Sequence, residues 1–148
     1  MKKYILLGID GVITSRRNSI MSMILERKPN LYGLDFFDMF CMVNLGSIPV
    51  ETDADIIVSS SWRRLGKETL IRVWEHNGRC PRRLVGTTPV EIQAKRDAIE
   101  TWISVHPDDR YVILDAEDLR LQNQVRTDPE VGLTLKNARE AIMILNKD

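Results

Sequence analysis

Short apolar runs of strand length, each followed by polar residues, constrain the fold of this chain most strongly. The first run, residues 4–9 (YILLGI), is apolar without alternation, which is typical of a strand buried on both faces of a parallel sheet. Segments with helical spacing separate the runs, so the sequence predicts a three-layer α/β/α sandwich around a mostly parallel central sheet. The predicted strands are residues 4–9, 54–62, 82–89, 110–118 and 122–128.

Apolar residues at helical spacing predict four helices between and after these strands. In the first of them, the apolar residues at helical spacing are Phe36, Phe37, Phe40 and Val43, and the helix is expected to end near Gly46 and Pro49. Thr134 is expected to cap the last helix. The predicted helices are residues 35–48, 63–78, 90–107 and 134–146. The inward residues of the last three are predicted to be Leu65, Leu70, Val73 and Trp74, then Ile92, Ile99, Trp102 and Ile103, then Leu135, Ala138, Ile142 and Leu145.

Two stretches have weaker patterns. Residues 14–33 mix basic residues with methionine and isoleucine and contain a Pro-Asn break, which indicates a flap or loop with room for a short helix. Asn77 and Gly78 are expected to end the second helix, because this pair commonly follows a last helical turn.

Composition limits the classes of function. The chain has 148 residues, enough for one domain over 1–148, and its 21 basic residues balance 21 acidic ones, so broad binding to a polyelectrolyte is not favoured. No apolar run approaches the roughly 20 residues of a membrane span, which predicts a cytoplasmic protein without a membrane partner. Cys41 and Cys80 lack the spacing of a zinc site and are expected to be buried thiols in a reducing compartment.

Chemically active residues follow three of the predicted strands. Asp10 follows the first strand, Ser59 ends the second, and Asp115 with Glu117 ends the fourth. In an open parallel sheet, ligands bind at the carboxyl ends of the strands, so these side chains are expected to share one edge. Lys95 on the intervening helix adds a cation. Carboxylates bind hard cations, and hydroxyl and ammonium groups bind phosphate oxygens, so the set suits magnesium-dependent phosphoryl transfer.

The order of these motifs resembles the haloacid-dehalogenase-like (HAD) superfamily. The run YILLGIDGVIT matches the first family motif, hhhhDxDG, except at its first Asp, where this chain has Gly8. The run IIVSSSWR is similar to the SSSWR form of small bacterial and phage HAD-domain proteins, some of which are tied to nucleic-acid repair. The run DRYVILDAED and the ending VRTDPEVGLT match that subgroup as well. The resemblance implies a Rossmann-like HAD domain without a sizeable cap.

The resemblance also implies roles for individual positions. The family nucleophile, which also binds Mg²⁺, falls on Gly8, so this chain has lost that carboxylate. Asp10 falls on the general acid and base, whose backbone carbonyl binds the metal. Ser59 falls on the phosphate-binding hydroxyl, and Lys95 on the cation that neutralises phosphate. Asp115 falls on the acidic metal ligand.

Other positions are weaker matches to the family. The second metal acid falls on Ala116, and Glu117 or Asp118 would have to substitute for it. Arg96 and Lys67 are secondary candidates for the cation. The residues expected to contact substrate are Gly11, Ser60 and Arg63.

Two functions therefore remain open. One is a phosphatase-family domain acting on a phosphomonoester, a nucleotide or a nucleic-acid end, with Mg²⁺ binding weakened and turnover lost at Gly8. The other is a pseudo-phosphatase that binds a phosphorylated ligand or a protein partner without turnover. The sequence leaves the substrate, the oligomeric state and the natural or engineered origin of Gly8 open.

Overall fold

A computed structural model describes residues 1–28, 37–76 and 82–148 of the chain. Within these residues the central sheet has five strands in the order β3-β2-β1-β4-β5, and every neighbouring pair is parallel. The predicted sheet is thus confirmed, with a pairing that is entirely parallel. The strands are β1 (Lys3–Leu7), β2 (Asp55–Val58), β3 (Leu84–Thr87), β4 (Arg110–Asp115) and β5 (Gln124–Arg126).

Helices cover both faces of this sheet, which gives the predicted three layers. Ile5 and Leu7 of β1 point into a large core with the buried residues of α2, α3 and α5, whereas Leu6 points into a smaller core with Ile99 and Trp102 of α4. This alternation explains why β1 is apolar at every position after Lys3. The helices are α1 (Arg16–Ile24), α2 (Met39–Thr52), α3 (Lys67–His76), α4 (Lys95–Ser104) and α5 (Leu135–Leu145), and a 3₁₀ turn covers Ser61–Leu65.

Helix α2 differs most from its prediction. It does not end near Gly46 but continues through Pro49, which lies in its last turn, and Phe40 and Val43 are 72% and 70% exposed rather than buried. The stripe that faces the core is instead Cys41, Met42, Leu45 and Ile48. Packing of this stripe outweighs the weak helix propensity of glycine and proline. Residues 35 and 36, where the helix was predicted to begin, lie outside the described part of the chain.

Smaller corrections concern the ends of the other helices. The predicted helix 63–78 is divided at Gly66, which has a φ of +87° and separates the 3₁₀ turn from α3; Leu65 is exposed as a result. Helix α4 begins at Lys95, so Ile92 lies in the preceding loop. Leu135 at the start of α5 is exposed, while the predicted cap Thr134 is confirmed and accepts a hydrogen bond from the Asn137 amide. Asn77, Gly78 and Cys80 lie outside the described residues.

The flap predicted over 14–33 contains α1, whose N-cap is Ser15, and none of the α1 residues is buried. Residues 29–33 of that flap lie outside the described residues. Among the helices of the described ranges, none combines the length and the hydropathy that a bilayer crossing requires.

The topology fixes where a ligand can bind. From β1 the chain moves outward through β2 to β3, then returns to the opposite side of β1 to form β4 and β5. The direction of winding therefore reverses between β1 and β4. A crevice forms outside the carboxyl ends of the strands at such a reversal.

Candidate functional site

A cleft of about 250 Å³ lies at this reversal. Leu7 of β1 is in register with Val58 of β2 and with Leu114 of β4, so the residues that follow these three strands emerge side by side. Seven of the residues singled out in the sequence line the cleft, together with Ile9, Ser61, Arg64 and Gln93. Those seven are Gly8, Asp10, Ser60, Arg63, Lys95, Asp115 and Glu117.

Gly8 forms part of the cleft wall and is enclosed by backbone. Its amide donates to the Leu114 carbonyl oxygen at 2.7 Å. A Cβ placed on Gly8 would lie 2.8 Å from the same oxygen and 3.1 Å from Oδ2 of Asp115. Because the backbone oxygen cannot move without disturbing the β1–β4 pairing, position 8 has no volume for a side chain.

Asp10 stands on a turn that is held by several hydrogen bonds. The Ile9 carbonyl accepts from the amides of Val12, Ile13 and Thr14 at 3.0 to 3.2 Å. The Asp10 carboxylate is exposed, and its Oδ2 accepts a hydrogen bond from the Trp62 indole Nε1 at 3.1 Å. The Trp62 ring itself packs in the larger core, and sequence reasoning did not find this polar contact. Its only signal was an aromatic residue directly after a strand-end serine run.

Gly11 and Ser59 lie outside the cleft lining. Gly11 has a φ of +78°, and its amide and carbonyl are engaged by the Thr14 and Thr127 hydroxyls. Gly11 therefore shapes the turn, and the predicted substrate contact has no free backbone group to make it. Ser59 is fully buried, and its Oγ has no hydrogen-bond partner within the described residues.

Ser60 has a structural contact as well as a place in the cleft. Its Oγ accepts a hydrogen bond from the Trp62 amide, and Ser60 is the N-cap of the 3₁₀ turn. Ser61, the next residue, presents a second hydroxyl residue to the cleft.

Lys95 joins two of the acidic residues. Its ammonium lies 3.0 Å from Oδ2 of Asp115 and 3.0 Å from Oε2 of Glu117. Asp115 also accepts a hydrogen bond from the Glu117 amide at 2.9 Å. Burial lowers the pKa of Lys95, but the charges and hydrogen bonds of the two carboxylates outweigh it, so the pKa lies above its usual value.

Arg63 is almost fully buried and its guanidinium donates to backbone carbonyls. These acceptors are the carbonyl oxygens of Ser60, Pro89, Ile92 and Gln93. Burial lowers the pKa of Arg63, and the charge of neighbouring Arg64 acts in the same direction. Arg63 thus fastens the 3₁₀ turn to the loop before α4. The exposed arginine of the cleft is Arg64.

The weaker candidates lie away from the cleft. Arg96 donates to the Leu119 carbonyl and forms an ion pair with Glu100. Lys67 borders a different depression, beside β3. Asp118 accepts a hydrogen bond from the Arg120 amide. Of the three cations proposed from the sequence, Lys95 alone lines the cleft.

The fold and this cleft define a class of protein: an α/β domain of the phosphatase type, with carboxylates, serines and a lysine at the carboxyl edge of a parallel sheet. The sequence model of the family described as "HAD domain in Swiss Army Knife RNA repair proteins" matches residues 4–138. The chain belongs to this family, and the predicted HAD resemblance is confirmed. Comparisons with curated proteins and with solved structures gave no significant match.

HAD domains generally use Mg²⁺, so we tested whether the residues of this cleft fit that ion. Within the described residues, no three acidic, histidine or cysteine side chains converge as a metal-binding group. Gly8 offers no carboxylate and no room for one without a backbone shift, and Asp115 is already paired with the Lys95 ammonium. Hard divalent cations require several oxygen ligands free of other cations. The residues present do not fit Mg²⁺.

Proposed function

We propose that this chain is a pseudo-phosphatase: a HAD domain that binds the terminal phosphate of an RNA or nucleotide and does not hydrolyse it. The observation that carries the proposal is Gly8. The family reaction starts when a carboxylate at this position attacks phosphorus, and here the backbone encloses a glycine. Asp10 stands two residues further along the turn, and a displacement of about 1 Å already reduces rates on the order of a hundredfold.

The charges of the cleft support binding of an anion without a metal. Three carboxylates line it, those of Asp10, Asp115 and Glu117, and three cations offset them, those of Arg63, Arg64 and Lys95. A phosphate group entering this lining meets no net negative charge. The exposed Arg64 is the cation best suited to contact it, because guanidinium groups bind phosphate through paired hydrogen bonds.

Hydroxyl groups supply the remaining support for phosphate recognition. Ser60 and Ser61 line the cleft, and the buried Oγ of Ser59 behind them has no partner within the described residues. Ser59 itself lies outside the cleft lining, so the hydroxyl residues that an entering phosphate can reach are Ser60 and Ser61. The family description supports an RNA end as the class of ligand, because it names RNA repair proteins.

The second candidate function is an active phosphatase, and the retained Asp10 favours it. One assay distinguishes an active phosphatase from a pseudo-phosphatase. We expect the unaltered chain to release no phosphate from an aryl phosphate in MgCl₂ beyond the buffer blank. Release of phosphate that requires both the protein and Mg²⁺ would refute the proposal.

Binding is tested with three RNA oligonucleotides of one sequence, carrying a 5′-phosphate, a 3′-phosphate or neither, with EDTA present. Fluorescence anisotropy should show tighter binding of one phosphorylated form than of the unphosphorylated RNA. Arg64→Met should weaken that binding about tenfold or more, since hydrogen bonds to charged groups contribute roughly 1.5–3 kcal/mol. Arg72→Met, an exposed substitution on α3 outside the cleft, is the matched control and should change nothing. Equal affinity for all three RNAs would refute phosphate recognition.

A further inference from the structure

The acidic residues of the cleft already have a cation. Lys95 places its ammonium 3.0 Å from both Asp115 and Glu117, and the Asp115 side chain is only 4% exposed. A carboxylate this deeply buried requires a neutralising charge, and breaking such a pair leaves an uncompensated ion. The ammonium therefore performs for Asp115 the electrostatic task that a metal ion performs in a metal site.

Local sequence rules do not explain the position of this lysine. Lys95 is the first residue of α4, and the N-cap Ala94 makes no side-chain hydrogen bond. The amino end of a helix carries partial positive charge, so a lysine there is locally unfavourable. The attraction that offsets this cost is tertiary and comes from Asp115, the last residue of β4, and from Glu117 just after it.

We infer that the ammonium of Lys95 is the resident cation of this cleft, so that the domain folds and binds its ligand independently of divalent ions. A divalent ion would have to displace the ammonium and would find no ligand at Gly8. Removing the lysine should free Asp115 and Glu117 and create a response to divalent cations that the natural chain lacks. This inference deepens the proposed function. It rests on that function only in taking the ligand of the cleft to be a phosphate group.

Thermal unfolding without any phosphate ligand tests the inference. The midpoint of the unaltered chain should move by less than about 1 °C between millimolar MgCl₂ and NaCl of equal ionic strength. Lys95→Met should unfold at a lower temperature in NaCl and regain about 3 °C or more in MgCl₂, because binding to the folded state alone raises the midpoint. The control is Arg96→Met on the same helix, which removes an ion pair with Glu100 and a hydrogen bond to the Leu119 carbonyl. Any loss of stability in this variant should be the same in NaCl and in MgCl₂.

Two outcomes would overturn the inference: a MgCl₂-dependent rise in the midpoint of the unaltered chain, or a Lys95→Met protein whose midpoint ignores MgCl₂. If Lys95→Met does not fold, calorimetric titration of the unaltered chain with Mg²⁺ and Mn²⁺ decides, and measurable heat of binding refutes the inference. The proposed function fails separately, through phosphate release or through loss of phosphate preference in EDTA. Binding of Mg²⁺ without release of phosphate would refute the inference about Lys95 but would not contradict the proposed pseudo-phosphatase function.

Discussion

The backbone around Gly8 leaves no volume for a side chain, although the residue's own φ would permit one. The nearest obstacle is the Leu114 carbonyl, 2.8 Å from the position of a Cβ. A family nucleophile cannot simply be restored here by one substitution, because β1 and β4 are hydrogen-bonded through that same oxygen. A carboxylate at position 8 would therefore require the backbone of β1 or β4 to shift.

Gly8→Ala should lower the free energy of unfolding by about 1–3 kcal/mol, the usual cost of inserting a methyl group into packed surroundings. Gly8→Asp should lower it further and should not produce phosphatase activity in MgCl₂. Urea unfolding followed by tryptophan fluorescence measures the first effect, and aryl phosphate release the second.

The matched control is Gly86→Ala on β3, where a Cβ would meet only Ile57 Cδ1 at an ordinary 3.6 Å. That substitution should leave stability unchanged or slightly raise it, since alanine restricts the unfolded chain. An active Gly8→Asp protein of full stability would contradict the packing described for this position.

The residues of the cleft could be predicted to the extent that strand ends determine them. Asp10 and Asp115 were singled out because parallel strands bring their carboxyl ends to one edge, and Lys95 because it is a cation on the intervening helix; the structure places all three around one cleft. The hydrogen bond from Trp62 to Asp10 could not be predicted, because it depends on how the 3₁₀ turn orients the indole. The burial of the Arg63 guanidinium was missed for the same reason, since all of its acceptors except the Ser60 carbonyl are distant in sequence.

At the scale of elements, Arg63 connects the turn after β2 to the loop before α4. It is 1% exposed, and its acceptors include the carbonyls of Ile92 and Gln93. Helix α4 begins at Lys95, two residues after Gln93. Arg63 therefore also holds the start of the helix that carries Lys95. The start of such a helix cannot be predicted from the spacing of apolar residues, because it depends on the contacts of a single buried side chain.

Arg63→Met should lower the free energy of unfolding by about 3 kcal/mol or more, because it removes several hydrogen bonds to backbone carbonyls from a side chain that is 1% exposed. Arg64→Met is the matched control: Arg64 is exposed, reaches one of the same carbonyls, and should cost less than about 0.5 kcal/mol. Urea unfolding of both variants gives the comparison. Similar losses in the two proteins would mean that the carbonyls find water in place of Arg63.

At the scale of the whole molecule, the sheet followed directly from the sequence because uninterrupted apolar strands are stable only when helices cover both faces. Predictions from helix propensity and apolar periodicity were wrong where packing in the core outweighs both. Helix α2 passes Gly46 and Pro49 because its buried stripe, with Cys41 and Leu45, completes the larger core. Cys41 also donates to the Val131 carbonyl from Sγ at 3.3 Å, and so connects α2 to the chain before α5.

This buried thiol makes the stability of the whole fold sensitive to alkali. Burial, and then the negative charge of Asp38, raise the pKa of Cys41 from 9.0 to about 12. Below pH 9.0 the folded and the unfolded chain both hold the proton. Above it the unfolded chain releases a proton that the folded chain keeps, so the free energy of unfolding falls as pH rises. The fall due to this group approaches about 1.4 kcal/mol per pH unit and ends near pH 12.

Cys41→Ser removes this titration while keeping a hydroxyl of similar size that can donate to Val131. We expect the variant to be less stable than the unaltered chain at neutral pH but to lose stability less steeply between about pH 9 and about pH 11. Some slope will remain, because burial also raises the pKa of Tyr111 and the carboxylates raise that of Lys95, both with the same sign. Urea unfolding at several pH values, in reducing agent, measures the two slopes. Parallel slopes would show that the thiol is ionised as readily in the folded chain as in the unfolded one, and that α2 does not shield it.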